Sequence, residues 1–147
     1  MKRFQFQLEP VLNYKLQALD SLLIELNTLQ AQVRAQEKVR DEADAVLAAY
    51  EAEYAEKKTQ GLTILEAMEC QSCQQVLDRR ARQEKEKLLR LQKQAESKRR
   101  EVVEARKETR SLEKLREVRL SEYDTAAAKA EEKNLDDLTA ARRAQAG

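Results

Sequence analysis

Two cysteines three residues apart, Cys70-Gln71-Ser72-Cys73, are the side chains in this sequence whose type and spacing most invite chemistry. A C-x-x-C pair supports half of a tetrahedral zinc site, an interchain disulfide or a redox couple. The zinc reading needs two chains, each lending two thiolates, as in the hooks at the tips of long antiparallel coiled coils. This pair sits roughly ten residues into a helix, without a hook's tight turn and with no ATPase head domains attached. The redox reading needs a βαβ context that the surrounding sequence lacks. More simply, Cys70 and Cys73, at i and i+3, share one helical face with Val76 and Leu77 and are structural. Other chemistry is scarce. The chain has no His, which removes imidazole acid–base catalysis, Ser-His and Cys-His couples and imidazole metal ligation. Gly61 is the only internal glycine, so there is no Gly-rich phosphate loop. Asp136 and Asp137 are adjacent and point to different sides of a helix. The expectation is a protein that is not an enzyme, with no catalytic residue, no metal site and no cofactor.

What positions these residues is a heptad seam. From Leu77 the chain steps by four and three through Ala81, Glu84, Leu88, Leu91, Ala95, Lys98, Val102, Ala105, Thr109, Leu112, Arg116, Arg119 and Tyr123. Most are apolar, and nearly everything between them is charged or Gln. A period near 3.5 residues supercoils one helix around another. Composition agrees: of 147 residues, 37% are charged and only 4% aromatic, with two Gly and one Pro. Such a mix signals long helices or coiled coil in one domain, residues 1–147, and not a compact globule. A formal net charge of +1 argues against nucleic-acid binding driven by bulk electrostatics. No apolar run of ~18 residues marks a membrane span, and Lys2-Arg3 is not followed by a signal-peptide core. A cytoplasmic protein is expected.

Residues 1–9 alternate, with Phe4, Phe6 and Leu8 on one side, which suggests an extended lead-in. The two Phe are either a plug on the neighbouring helix or an anchor for a partner. Pro10 suits the first turn of a helix. Helix one then runs over about 10–58, striped by Leu12, Leu16, Leu19, Leu23, Leu26, Leu29 and Val33. After a weak stretch at Gln36 and Arg40, where looser packing is expected, the stripe resumes at Ala43, Leu47, Tyr50 and Tyr54. Lys57 and Lys58 favour the negative end of the helix dipole, and Gly61 favours a left-handed cap. Thr63 and Glu66 have the spacing of a capping box, which restarts the helix. A turn at about 59–63 followed by helix two at about 63–142 places the helices antiparallel and adjacent.

The fold expected is therefore all-α: an antiparallel two-helix coiled-coil hairpin. Residues whose numbers add to about 124 should lie opposite one another. Val33 then meets Leu91, Leu22 meets Val102, Leu19 meets Ala105 and Leu12 meets Leu112. At 1.5 Å per residue the helices span roughly 75 and 120 Å, which leaves a C-terminal helix of roughly 30 Å overhanging the N-terminus. Ala126, Ala127, Ala128 and Ala130 suit an unsupported helix, and Leu135 and Leu138 within it invite a partner. Residues 79–119 hold 16 Lys or Arg against 8 Asp or Glu. They read as a solvated face laced with i, i+4 pairs, or as a positive collar for an acidic partner.

Both ends of the chain carry a family likeness. Phe4-x-Phe6-x-Leu8-x-x-Val11-Leu12-x-x-Lys15 resembles the opening of the flagellar export protein FliJ family. Leu112-Glu113-Lys114-Leu115-Arg116-Glu117, Glu122-Tyr123, Glu132-Lys133 and Leu135-Asp136-Asp137-Leu138 resemble its closing pattern. Tyr50-x-x-x-Tyr54 before the turn is a common feature of that family. The likeness covers essentially the whole chain. It departs at Asp137, where many members have Glu, and in the C-x-x-C.

The resemblance implies a soluble component of the bacterial flagellar type III protein export apparatus, at the cytoplasmic base of the flagellum. Such proteins are stalk-like antiparallel coiled coils. They insert into the hexameric ring of the export ATPase FliI, contact the export gate FlhA and handle export chaperones such as FlgN and FliT. Nucleic acid and small-molecule substrates are not implied, and membrane association is peripheral, through partners. On that basis Phe4, Phe6, Lys133, Asp136, Asp137 and Arg142 are expected to face the ATPase ring. Leu65, Met68, Cys73 and Leu77 are expected to dock the gate. The rivals are a structural coiled coil of another assembly, either an injectisome stalk or a homodimeric scaffold, and a chaperone with prefoldin-like arms.

Overall fold

Nothing inside either apolar stripe breaks a helix, and the chain forms two. The computed structural model describes residues 2–147. Among these the elements are α1, Glu9–Gln60, and α2, Ile64–Ala146, with no strand. Pro10 stands in the first turn of α1, where its missing N–H removes no helical bond. The turn is built as its residues require. Gly61 takes φ 102°, a conformation that L side chains rarely adopt. The Glu66 amide donates to the Thr63 hydroxyl at 3.2 Å, and the Ala67 amide donates to the Thr63 carbonyl at 3.0 Å. The first bond satisfies one of the donors that a helix start leaves open, and the second is the first helical bond of α2. At the far end α2 continues through Arg142 and Arg143 to Ala146, beyond the boundary near 142 that the sequence suggests.

The two helices pack against each other as an all-α hairpin, and the chain divides into two compact units. The unit formed by Leu22–Glu101 buries Leu26, Ala43, Cys70, Ala81 and Leu88. Half-buried Leu29, Val33, Leu47, Tyr50, Leu77, Leu91 and Ala95 continue its seam. Opposed residues keep the expected register. Lys98 reaches Glu25 at 2.8 Å and the Tyr50 hydroxyl donates to the Cys70 carbonyl at 3.3 Å. The stretch around Gln36 does not remain a gap. The Gln36 side-chain amide donates to the Glu84 carboxylate at 2.6 Å and to its carbonyl at 3.1 Å, making a polar layer.

That layer has a pH consequence. The hydrogen bond from Gln36 holds the Glu84 carboxyl below its ordinary pKa, assisted by Lys87 and Arg80. A carboxyl whose pKa is lowered on folding stabilises the fold above its unfolded pKa, and the benefit fades as pH falls through the folded value. Gln36→Ala should therefore destabilise the chain at neutral pH, with the difference from wild type shrinking below about pH 4. Urea unfolding at several pH values checks this. A difference independent of pH would assign the layer to packing alone.

The second unit comprises the chain up to Ser21 together with Val102–Gly147. Phe6, Leu12, Val102 and Thr109 are its buried residues. The Thr109 hydroxyl donates to the Ala105 carbonyl at 2.8 Å, so a buried polar group is satisfied within its own helix. Lys15 pairs with Glu108 at 2.8 Å and Arg116 with Glu9 at 2.9 Å. Beyond Arg116 the seam departs from the expected steps, since Arg119 is exposed and Leu120 is half-buried in its place. The stripe takes two successive steps of four, from Leu112 to Arg116 and on to Leu120. Steps of four, four and three reach half-buried Tyr123 just as four, three and four would, so no residue is added. The changed order keeps an apolar residue inside as the 3.6-residue helix drifts against a 3.5-residue repeat.

Candidate partner-binding surfaces

The N-terminal residues form a strap and not a free anchor. Phe6 is 9% exposed. The Phe4 ring packs on the Tyr123 ring with centroids 5.5 Å apart at 55°, and the Arg116 guanidinium lies 5.7 Å from the Phe4 centroid. The Tyr123 hydroxyl donates to the Lys2 carbonyl. Residues 2–6 are neither helix nor strand, and the Glu9 amide closes the entry to α1 on the Phe6 carbonyl at 3.1 Å. The strap does not lie flush on α2. A cleft of about 850 Å³ remains, bordered by Lys2, Arg3, Phe4, Leu115, Arg119 and Tyr123. The alternation in residues 4–8 suggested an extended lead-in; residues 2–6 lie outside the helix and residues 7 and 8 already turn into α1. The Arg116–Tyr123 clamp, more than a hundred residues away, carried no local signal.

The other four residues expected at this end, Lys133, Asp136, Asp137 and Arg142, are not gathered with the Phe pair. They stand on the last part of α2, where every residue from Ala128 to Gly147 is exposed. Leu135 and Leu138 there are 59% and 61% exposed. Lys133 and Asp137, four residues apart, and Asp136 are neighbours on the helix surface. This stretch therefore presents two leucines and mixed charge on a helix that no part of its own hairpin covers.

Near the turn a different surface is open. Leu65 and Met68 are exposed, and so are Ile64 and Val76, neither of which was expected at the gate contact. Ile64, Leu65, Met68 and Val76 lie within about a third of the helix circumference at 100° per residue. The side of α2 turned away from the seam is thus apolar here. Leu77, expected beside them, is half-buried. The cysteines also separate: Cys70 is buried and Cys73 exposed, both as free thiols. The single face expected for Cys70, Cys73, Val76 and Leu77 is thus two faces. The seam steps from Cys70 to Gln74 to Leu77, which turns Cys73 and Val76 outward.

The environment of Tyr50 follows from this arrangement. Burial first, and then the neighbouring Cys70 and Cys73, raises the Tyr50 phenol above its ordinary pKa. Close by, the Lys58 ammonium sits 4.2 Å above the Tyr54 ring centroid, a cation–π contact in the last turns of α1. Among the described residues no group of three or more His, Cys, Asp or Glu is placed to hold a metal ion. No helix among them is long and apolar enough to cross a membrane.

Comparison with curated proteins and with solved structures gives no match. The family model described as flagellar FliJ protein matches residues 4–147, from the first aromatic of the strap to the end of α2. With nearly the whole chain matched, the chain belongs to the flagellar FliJ protein family and is a component of flagellar export.

Proposed function

We propose that the chain serves the flagellar type III export apparatus, at the cytoplasmic base of the flagellum, as the stalk-like element of the export ATPase. In this reading the uncovered end of α2 enters the FliI ring through Lys133, Asp136, Asp137 and Arg142, with Phe4 and Phe6 bracing the strap beside it. The outward face near the turn, with Leu65 and Met68 on it, Cys73 beside it and Leu77 at the seam edge, docks the gate protein FlhA. Export chaperones are handed on from the same molecule. One observation carries the reading: α2 keeps its helical form over Ala128–Ala146 with every residue exposed. Most helical stability in proteins comes from packing of an apolar face, and here the hairpin supplies nothing to pack against. Leu135 and Leu138, exposed on it, offer the apolar anchors that a groove in another protein accepts.

Pull-down with purified components tests the assignment. The full-length chain should retain both the assembled FliI hexamer and the FlhA cytoplasmic domain. The double substitution Leu65→Glu, Met68→Glu should lose the gate by at least about tenfold and keep the ring. Both residues are exposed, so helicity should not change. Equal gate binding by the variant would remove the face near the turn from this role. Failure to retain the hexamer would remove the ring.

A further inference from the structure

The C-x-x-C pair is only partly used by the proposed contacts, and the structure gives its two thiols opposite environments. Cys70 is 9% exposed and lies in the seam beside Tyr50, whose hydroxyl holds the Cys70 carbonyl at 3.3 Å. Cys73, one turn on, is exposed. In a regular helix, Cα atoms three residues apart are about 5 Å from one another, inside the range of roughly 4.4–6.8 Å that a disulfide spans. The Cβ atoms, at about 5–6 Å, are farther apart than the roughly 3.8 Å of a disulfide. Closing the bond therefore requires the turn 70–73 to tighten. The side chain with most to lose is Cys70, because its sulfur must leave the seam.

We propose that Cys70 and Cys73 form a thiol–disulfide switch that a low-molecular-weight disulfide closes, and that closure loosens the seam at Tyr50. Exposure sets the order of events. The Cys73 thiolate attacks one sulfur of the small disulfide, whose S–S bond breaks, and the first small thiolate leaves and takes up a proton. Cys70 then gives its proton to water, and its thiolate attacks Cys73 Sγ. This expels the second small thiolate, which is protonated in turn, and leaves the Cys70–Cys73 bond. Two electrons pass from the protein's dithiol to the small disulfide, which becomes two thiols. Three residues of helix hold the attacking sulfur next to the mixed disulfide, so the second step is intramolecular and outruns capture by another molecule. The bonded Cys70 no longer fills its place beside Tyr50, and that layer of the seam opens.

The test uses the full chain with oxidised glutathione, quenched by alkylation and read by mass spectrometry, together with hydrogen exchange. Wild type should lose both alkylatable thiols together and retain no glutathione. Cys70→Ala should stop at one glutathione on Cys73, and Cys73→Ser should react at least about tenfold more slowly than wild type. Matched circular dichroism spectra establish that both variants fold. In the oxidised wild type, amides of peptides containing Tyr50 and Cys70 should exchange faster than in the reduced protein. A lasting glutathione adduct on wild type would overturn the switch, as would a disulfide-linked dimer or Cys73→Ser reacting at the wild-type rate. A closed Cys70–Cys73 bond with unchanged exchange at Tyr50 would overturn it equally.

Discussion

Ending the chain after Ala127 is expected to weaken binding to the export ATPase ring by at least about 100-fold, equivalent to about 2.7 kcal/mol. The hairpin should survive the cut. Every residue removed is exposed, so no seam layer is lost. The position of the cut is important. Ending at Glu122 would also delete Tyr123, whose ring packs on Phe4 and whose hydroxyl holds Lys2, and loss of the strap would confuse the result. Within the deleted stretch, Leu135→Ala with Leu138→Ala should reproduce most of the effect, because a few apolar anchors dominate most interfaces. These leucines are 59% and 61% exposed, so the double variant should unfold at nearly the wild-type midpoint. Unchanged ring affinity in the truncated chain would move the contact elsewhere on the molecule.

Leu88→Ala is expected to destabilise the chain by about 2–5 kcal/mol, the usual range for emptying a covered leucine site. Leu88 is 2% exposed, with Glu84 and Leu91 the next residues along its seam. A two-helix seam has no second layer to collapse into the space. Since whole domains are stable by only about 5–15 kcal/mol, one such change should bring unfolding of Leu22–Glu101 close to physiological temperature. Its neighbour provides the control. Leu89 is 49% exposed, and Leu89→Ala should change stability by no more than about 0.5 kcal/mol. Urea titrations followed by circular dichroism compare the two. Similar losses at both positions would contradict the seam.

Most of the fold was legible because it rests on short-range patterns. The stripes of Leu, Val and Ala gave two helices, Gly61 and Thr63 gave the turn, and a turn of a few residues left only an antiparallel arrangement. Once the turn was placed, register followed by counting outward, and the Glu25–Lys98 and Lys15–Glu108 pairs keep it. Long-range choices were less visible. A heptad count assigns positions but cannot register the changed order of steps that puts Leu120 where Arg119 was expected. The Gln36–Glu84 layer looked like a weakness because either residue alone is a polar interruption. Only their pairing across the hairpin makes them a contact.

The surfaces were harder to read for a related reason. Phe4 and Phe6 are aromatic whether they face a partner or the chain itself, and nothing within ten residues of them announces Arg116 or Tyr123. Cys73 and Leu77 differ by one turn of helix yet stand on opposite sides of the seam boundary. Ile64 drew no expectation, and Val76 was placed on the face of Cys70 and Leu77, because an apolar residue outside the heptad has no periodicity of its own. Exposed leucines in the last part of α2 were visible in the sequence, but their identity does not specify what covers them.

Hydrogen exchange on the full chain, alone and with the assembled FliI hexamer, tests the functional account most directly. Without the ring, amides in residues 128–146 should exchange within seconds to minutes, as expected for an uncovered helix. With it, they should slow by at least about tenfold, while the amides around Leu88 remain as they were. If residues 128–146 exchange equally fast in both samples and protection appears only elsewhere, the uncovered end of α2 is not what the ring holds.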